Sequence, residues 1–395
     1  MFRLAKEELE KLGAIITATE IYQQPGLWKE VYQLYLDQLE KIESFLKSIK
    51  EKHDFVHVVF TGAGTSDFVG QSIANYLNQV NDLKHIRFSA IGTVELVSRP
   101  HDYLQADVPT VLVSFARSGN SPESVAAVEV AKQLVDKLYQ VTITCAPEGK
   151  LALAAEGDAE NLLLLQPAGS NDKGFAMTGS YSCMALTALL VFSSASQEEK
   201  AAWVEIIARL GQDVLDREDY VQDLINLDFE RVIYLGSGGF YGLAHEAQLK
   251  ILELTAGKIA TMYESPLGFR HGPKSFINEK TLIFLFASND AYTRQYDVDL
   301  LNEVHGDGIA ERIVALSADK LVGTEAANFV LAEGGADLPD VFLTFPYILF
   351  AQTVSIMAAI KCNNLPDTPS PTGTVNRVVQ GVIIHPRKIG RCIQR

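Results

Sequence analysis

His57-Val-Val-Phe-Thr-Gly-Ala-Gly64 is an apolar run that stops at two glycines, and a helical pattern begins directly after it. A short apolar run bounded by a glycine turn reads as a buried strand feeding a helix. The same pattern returns at Val232-Ile-Tyr-Leu-Gly-Ser-Gly238. It does not return alone. Thr110-Val-Leu-Val-Ser-Phe-Ala116 is matched by Thr281-Leu-Ile-Phe-Leu-Phe-Ala287, and Val141-Thr-Ile-Thr144 by Ile313-Val-Ala-Leu316. Asn161-Leu-Leu-Leu-Leu165 is matched by Asn328-Phe-Val-Leu331, and an apolar helix near 175–195 by one near 340–361. The offset stays at about 170 residues, as it does when one unit has been duplicated. Strands alternating with helices mean an α/β fold with a parallel sheet. The expected architecture is therefore two tandem, doubly wound parallel-sheet domains.

The expected boundaries follow. Residues 1–50 form a helical segment, in which Pro25 suits a helix start and Trp28, Val31, Tyr32, Tyr35 and Leu39 recur at helical spacing. Residues 51–215 form the first domain and 216–365 the second, with helical linking sequence near 197–226. Residues 366–395 form a tail expected to pack near the active site.

Composition narrows the function. The chain has 395 residues, more than one core usually serves, and is 47% hydrophobic and 21% charged. A net charge of -15 argues against a nucleic-acid surface, which needs clustered Lys and Arg. An anion must then be bound locally, by backbone N–H groups and a few chosen side chains. Cys145, Cys183, Cys362 and Cys392 form no CxxC pair, which fits a reduced, cytoplasmic setting. The start, MFRLAKEELEKLG, has no apolar signal core, and the apolar stretch Val341–Ile360 is broken by Thr344, Pro346, Gln352 and Ser355. No membrane span is expected.

Ligands of doubly wound sheets sit beyond the carboxyl ends of the strands. Two candidate corners lie there. Gly62-Ala-Gly-Thr-Ser-Asp67 lacks the third glycine of a dinucleotide fingerprint, as does Gly236-Ser-Gly-Gly-Phe-Tyr241, leaving a tight turn, a Ser66 hydroxyl and a helix N-terminus. The second corner, Ser114-Phe-Ala-Arg-Ser-Gly-Asn-Ser-Pro-Glu-Ser-Val125, offers Ser118, Ser121 and Ser124 around Gly119, with Pro122 at a helix start. By itself it reads as a turn capped by Asn120 or Ser121. The matching corner, Ala287-Ser-Asn-Asp-Ala-Tyr292, has lost the serine run although its strand is intact, so the serines point to a phosphate cradle. The second copy differs in the other direction. In Ala244-His-Glu-Ala-Gln-Leu-Lys-Ile-Leu-Glu253, Glu246, Lys250 and Glu253 share one helix face, which could be no more than a solvated charged face. His271 follows in a Gly/Pro loop between Arg270 and Gly272-Pro273. Neither metal-ligand spacing nor a GxSxG elbow occurs, so no metal and no cofactor are expected.

The duplicated unit with "GAGTS", "SGNS" and "HEAQLKILE…FRHGP" resembles the sugar isomerase (SIS) family, including the isomerase half of glucosamine-6-phosphate synthase. "TGAGTSDFVG", "FARSGNSPESVAAVE", "GFAMTGS", "LELTAGKIATMYESPLGFRHGPKS" and "SPTGTVNRVVQGVIIHP" look like the bacterial galactosamine-6-phosphate deaminase/isomerases, long labelled tagatose-6-phosphate ketose/aldose isomerases. The resemblance implies phosphate contacts from Ser66, Ser118 and Ser121 and from the backbone of Arg117 and Gly119. One synthase serine falls on Ala116, so the contacts differ in that detail. It implies a catalytic Glu253, with Lys250 in the same helix, and a His271 that reaches the site of the neighbouring subunit in a homodimer. Thr65, Asn171 and Arg270 are expected to complete the substrate-facing set, with Asn376 and Arg377 where the synthase has a C-terminal lysine.

The implied chemistry is ring opening, a proton shift between C2 and C1, and hydrolysis of an imine, with the remote phosphate holding the carbons in register. The chain starts Met1-Phe-Arg without the synthase's cysteine nucleophile, which favours degradation of galactosamine 6-phosphate to tagatose 6-phosphate and ammonia. Two other readings stand beside it. A hexose-phosphate aldose–ketose isomerase would use the same residues without deamination, and a sugar-phosphate-sensing regulator would need only the serine corner.

Overall fold

The computed structural model describes residues 1–379 and 381–386; Gln380 and residues 387–395, with Cys392, lie outside the described part. The first sheet contains β1 (Val56–Thr61), β2 (Ile86–Ala90), β3 (Thr110–Ala116), β4 (Leu138–Thr144) and β5 (Asn161–Leu165), in the order β2-β1-β3-β4-β5. The second contains β6 (Arg231–Gly236), β7 (Ala260–Glu264), β8 (Thr281–Phe286), β9 (Arg312–Ser317) and β10 (Ala327–Val330), in the order β10-β9-β8-β6-β7. Read backwards, the second order repeats the first, and every pairing is parallel. Each sheet thus reverses direction beside its first strand, which puts the ends of β1 and β3, and of β6 and β8, at the crevices where such sheets bind ligands.

The central strands are apolar because helices cover both faces: β3 is buried along its whole length, as is β8. One pair of strands escaped the repeat comparison. β2 and β7 are edge strands, mostly half-buried, and carry Arg87, Ser89, Thr261 and Glu264 where central strands carry Val, Leu and Phe. An edge needs no continuous apolar run, so its signal is weak.

The duplication extends to backbone dihedrals. Gly64 and Gly238, each just before a helix, sit at φ 57° and 60° with ψ −128° and −122°, a region that side chains disfavour. The helices that follow, Thr65–Val80 and Gly239–Leu254, pack against each other across the junction of the two repeats. A Cβ on Gly242 would lie 2.6 Å from the backbone of Gln71, so only glycine allows this approach. That crossing brings the second repeat's charged helix face to the first repeat's strand ends.

The apolar helix expected near 340–361 is Asp340–Lys361. By length and composition it could cross a membrane, yet its apolar window is wholly buried within the protein. It packs against Gly239–Leu254 and Gln197–Asp216. Two of its polar side chains are partnered: Gln352 Oε1 accepts from Gln24 Nε2 at 2.6 Å, and Ser355 Oγ donates to Ala351 O at 2.7 Å. The N-terminal region forms helices Lys6–Lys11, Ile15–Tyr22, Gln24–Asp37 and Leu39–Lys50. Trp28, fully buried, donates from Nε1 to Ser182 Oγ at 2.9 Å and so ties this segment to the first repeat's apolar helix Gly179–Phe192. Removing an aromatic buried to this extent costs on the order of 3–5 kcal/mol. Cys145 and Cys183 are buried core thiols, and burial pushes Cys145 up to about 12.

Candidate active site

The serine corner follows β3. Gly119 takes φ +66°, and Pro122 opens the helix Pro122–Leu134 behind Ser121, which occupies the N-cap position. The Ser121 side chain does not cap. Its Oγ lies 2.6 Å from Ser124 Oγ, and Asn120 Oδ1 instead accepts from Lys150 N at 3.1 Å, at the start of another helix. Ser118 Oγ accepts from Asn120 N at 3.3 Å. In the second repeat the corresponding helix, Ala291–Asp307, is capped in the ordinary way: Asp290 accepts from Thr293 N at 2.8 Å and from Thr293 Oγ1 at 2.9 Å. The first-repeat corner therefore keeps a helix N-terminus with no capping side chain, although Glu123 stands in its first turn, and hydroxyls beside it, an arrangement suited to an anion. The neighbouring helix, Thr65–Val80, also begins without a side-chain cap, and Ser66 near its start is buried, its Oγ making a weak 3.9 Å contact to Met177 Sδ.

Lys250 joins the repeats. Its side chain is fully buried, and Nζ donates to Thr65 Oγ1 at 2.9 Å and to Glu253 Oε2 at 2.7 Å, with Glu246 Oε1 at 3.4 Å. Burial would lower the lysine, but Glu246 and Glu253 overcome it and hold the ammonium charged above its ordinary value. Glu246 is also fully buried, and burial pushes its carboxyl up to about 8 against the pull of Lys250, with Glu253 adding to the rise. One cation thus stands between two carboxyl groups, and near neutral pH Glu246 keeps its proton. Glu253 alone of the three reaches solvent, with 22% of its side chain exposed.

A second group is built on Arg117, at the start of the serine corner. Arg117, directly after β3, is buried and donates from Nη1 to Gly174 O at 3.2 Å and Phe175 O at 3.1 Å, and from Nη2 to Arg377 O at 2.7 Å. Arg377, in the tail, donates from Nε to Asp172 O at 2.9 Å and from Nη2 to Asn171 Oδ1 at 3.1 Å. Burial, then the neighbouring Arg377, lower Arg117, while Asp172, Glu253 and Glu20 oppose them. The far side of the 173–174 loop is held by Glu20, from the N-terminal helix Ile15–Tyr22, which accepts from Gly174 N at 3.2 Å and from Lys173 N at 2.5 Å. Burial, then Asp172, push Glu20 up to about 7.

The structure thus brings Thr65, Lys250 and Glu253 into contact, and separately Arg117, Asn171 and Arg377, within reach of one another's fields. Elsewhere, Arg270 Nε pairs with Glu303 at 2.6 Å, and Lys274 pairs with Glu303 and with Asp307, which staples the loop to helix Ala291–Asp307. His271 is exposed on this loop, and among the described residues no hydrogen bond or ion pair of its side chain reaches Glu253. Asn376 is exposed, donating to Gly373 O at 3.4 Å.

Sequence reasoning passed over Glu20 and Asp172, and left Glu246 as one member of a charged helix face. Asp172 is fully buried and accepts from Thr178 N and Oγ1, Gly179 N, and Ser180 N and Oγ, so it anchors the helix Gly179–Phe192 beside the site. Its only local sign was an acid shortly before Thr-Gly-Ser. His245 lies between the rings of Phe68 and Tyr263, at centroid distances of 3.7 and 4.0 Å, and burial lowers it to about 4. Among the described residues no group of three or more His, Cys, Asp and Glu is placed to hold a metal.

A SIS domain model matches residues 53–192, the first repeat. The D-galactosamine-6-phosphate deaminase AgaS of Shewanella sp. (strain ANA-3) is 41% identical over 97% of this chain and 95% of its own length. The crystal structure of tagatose-6-phosphate ketose/aldose isomerase from Escherichia coli superposes with a TM-score of 0.85 at 38% identity, covering 94% of this chain and 96% of that one. A candidate tagatose-6-phosphate ketose/aldose isomerase from Clostridium novyi NT superposes with a TM-score of 0.93 at 44% identity, covering 98% and 99%.

Proposed function

The chain belongs to the family of D-galactosamine-6-phosphate deaminases built on SIS domains, and from that premise we propose that it converts galactosamine 6-phosphate and water to tagatose 6-phosphate and ammonia. The observation that carries the reading is the Lys250 bridge, which ties the proton-transfer carboxylate of one repeat to the helix that opens beside the phosphate corner of the other.

In this reading the substrate phosphate lies on Ser66, Ser118, Ser121 and the backbone of Arg117 and Gly119. Arg117 and Arg377 supply positive field near it. His271 of the partner subunit moves a proton between the C1 hydroxyl and the ring oxygen, which opens the ring to the 2-amino aldehyde. Glu253 takes the C2 proton while O1 gains one, giving an enaminol, and Lys250 orients Glu253 and offsets charge on O1. Glu253 then returns its proton to C1 as the nitrogen loses one, leaving C1 as an alcohol and C2 as a ketimine. Water adds to C2, and ammonia departs to leave the ketone. Thr65 holds Lys250 in line, and Asn171 and Arg377 shape the phosphate side. The site belongs to a homodimer, and a cytoplasmic place in N-acetylgalactosamine breakdown completes the proposal.

A second reading, a ketose/aldose isomerase without deamination, has the solved structure from Escherichia coli in its favour. Assaying purified protein for ammonia and for ketose 6-phosphate separates the two. Ammonia released in step with ketose from galactosamine 6-phosphate supports deamination. Interconversion of neutral hexose phosphates, with no ammonia from the amino sugar, supports the second.

A further inference from the structure

The duplication that built the active site built a second cleft. Helices Thr65–Val80 and Gly239–Leu254 have the same length and the same glycine before their first residue. Counted from those first residues, Ser72 takes the place of Glu246, Tyr76 that of Lys250 and Gln79 that of Glu253. Ser72, Tyr76 and Gln79 face the strand ends of the second sheet just as the charged trio faces those of the first. Together with Ser237–Phe240, Asn289–Asp290, Ala336 and Leu338–Val341 they line a cavity of about 800 Å³. That volume lies in the range of about 300–1,000 Å³ usual for small-molecule sites.

The chemistry has been replaced. Among the described residues, no Lys, Arg or His lines this cleft. Where the first repeat leaves a helix N-terminus to an anion, Asp290 caps it here, and Asp340 accepts from Ser288 Oγ at 2.5 Å and Asn289 N at 2.6 Å. Two carboxylates at the phosphate corner repel an anion, and no acid–base pair stands across from them. What the cleft presents is amide and hydroxyl groups: Asn75 and Gln79 are exposed, with Tyr76, Ser237 and Thr293 partly so. Such groups both donate and accept, which matches the vicinal hydroxyls of a sugar. An ammonium on the ligand would be favoured by the acids.

We propose that this second cleft is a non-catalytic binding site for an unphosphorylated hexose or hexosamine, distinct from the cleft that takes the 6-phosphate. The test uses Glu253→Gln protein, so that ligand is not consumed, with the first cleft saturated by galactosamine 6-phosphate. Galactose and galactosamine are then added and followed by saturation-transfer NMR. Free sugar should still bind, and Gln79→Trp, which fills the cavity, should weaken binding by at least about tenfold. Gln79→Trp in the otherwise native chain should keep its turnover of the 6-phosphate within about twofold. If that variant does not fold, Asn75→Trp replaces it on the same helix face. The proposal is overturned if the 6-phosphate displaces the free sugars, if neither wedge weakens their binding, or if inorganic phosphate competes for this cleft as well as sugar does. Galactosamine binding more tightly than galactose assigns a role to Asp290 and Asp340, and equal affinity assigns recognition to the hydroxyls alone. These readouts need no ammonia release, so they stand apart from a failure of the deaminase reading.

Discussion

Replacing Lys250 with Met tests whether one buried cation holds two carboxylates in place. The ammonium has 2.7 and 2.9 Å contacts to Glu253 and Thr65 and a 3.4 Å approach to Glu246, with no solvent to take its place. Removing one member of a buried ion pair costs about 3–5 kcal/mol when the remaining charge stays. Glu246, however, carries a proton up to about pH 8 in the fold, whereas the unfolded chain releases it near the ordinary carboxylate value of 4.5. The folded state binds the extra proton between those limits, so this group's contribution to stability is present at low pH and is lost as pH rises through about 8. Lys250 opposes that loss, and without it Glu246 must keep its proton to still higher pH. The cost of Lys250→Met should therefore grow with pH, from about 2 kcal/mol near pH 6 to about 3 kcal/mol near pH 9. Urea unfolding at the two pH values measures it. Adding Glu246→Leu should remove the pH dependence and recover part of the loss, because the two changes share a partner. A cost below about 1 kcal/mol at both pH values, or one that shrinks as pH rises, would refute this account of the cluster.

The two corner helices should respond unequally to loss of their N-cap side chains. Asp290→Ala should cost about 0.5–2 kcal/mol of stability, whereas Ser121→Ala, which removes no cap bond, should cost less than about 0.5 kcal/mol without ligand; thermal melts of both variants check this. Gly242→Ala places a Cβ 2.6 Å from the Gln71 backbone, forces the two junction helices apart and should lower turnover together with stability. Unchanged melting and activity would show that the crossing is not what aligns Lys250 with Thr65.

Much of this was legible in the sequence, for local reasons. Central strands such as β3 and β8 are continuous apolar runs because both faces are covered, and their repetition revealed the tandem architecture. The serine corner became readable only against its altered copy, where Asp290 now shows what an ordinary cap looks like. The spacing of Glu246, Lys250 and Glu253 predicts one helix face, but not whether that face meets water. Burial comes from a helix well over a hundred residues away, and the glycine that admits it, Gly242, carries no local mark of that role. The clasp of Glu20, Arg117 and Arg377 joins the N-terminal helix, the end of β3 and the tail, and no periodicity links positions so far apart.

The central claim is a division of labour, in which the first repeat grips phosphate and the second moves the proton. It is tested by measuring tagatose 6-phosphate affinity and, with ammonium present, exchange of that product's C1 protons with solvent deuterium in two variants. Glu253→Gln should bind within about threefold of the native chain while exchange falls by at least about a thousandfold. Ser118→Ala/Ser121→Ala should bind at least about tenfold more weakly yet exchange at a near-native rate once saturated. Exchange that survives in Glu253→Gln, or affinity that survives loss of both serines, would contradict it.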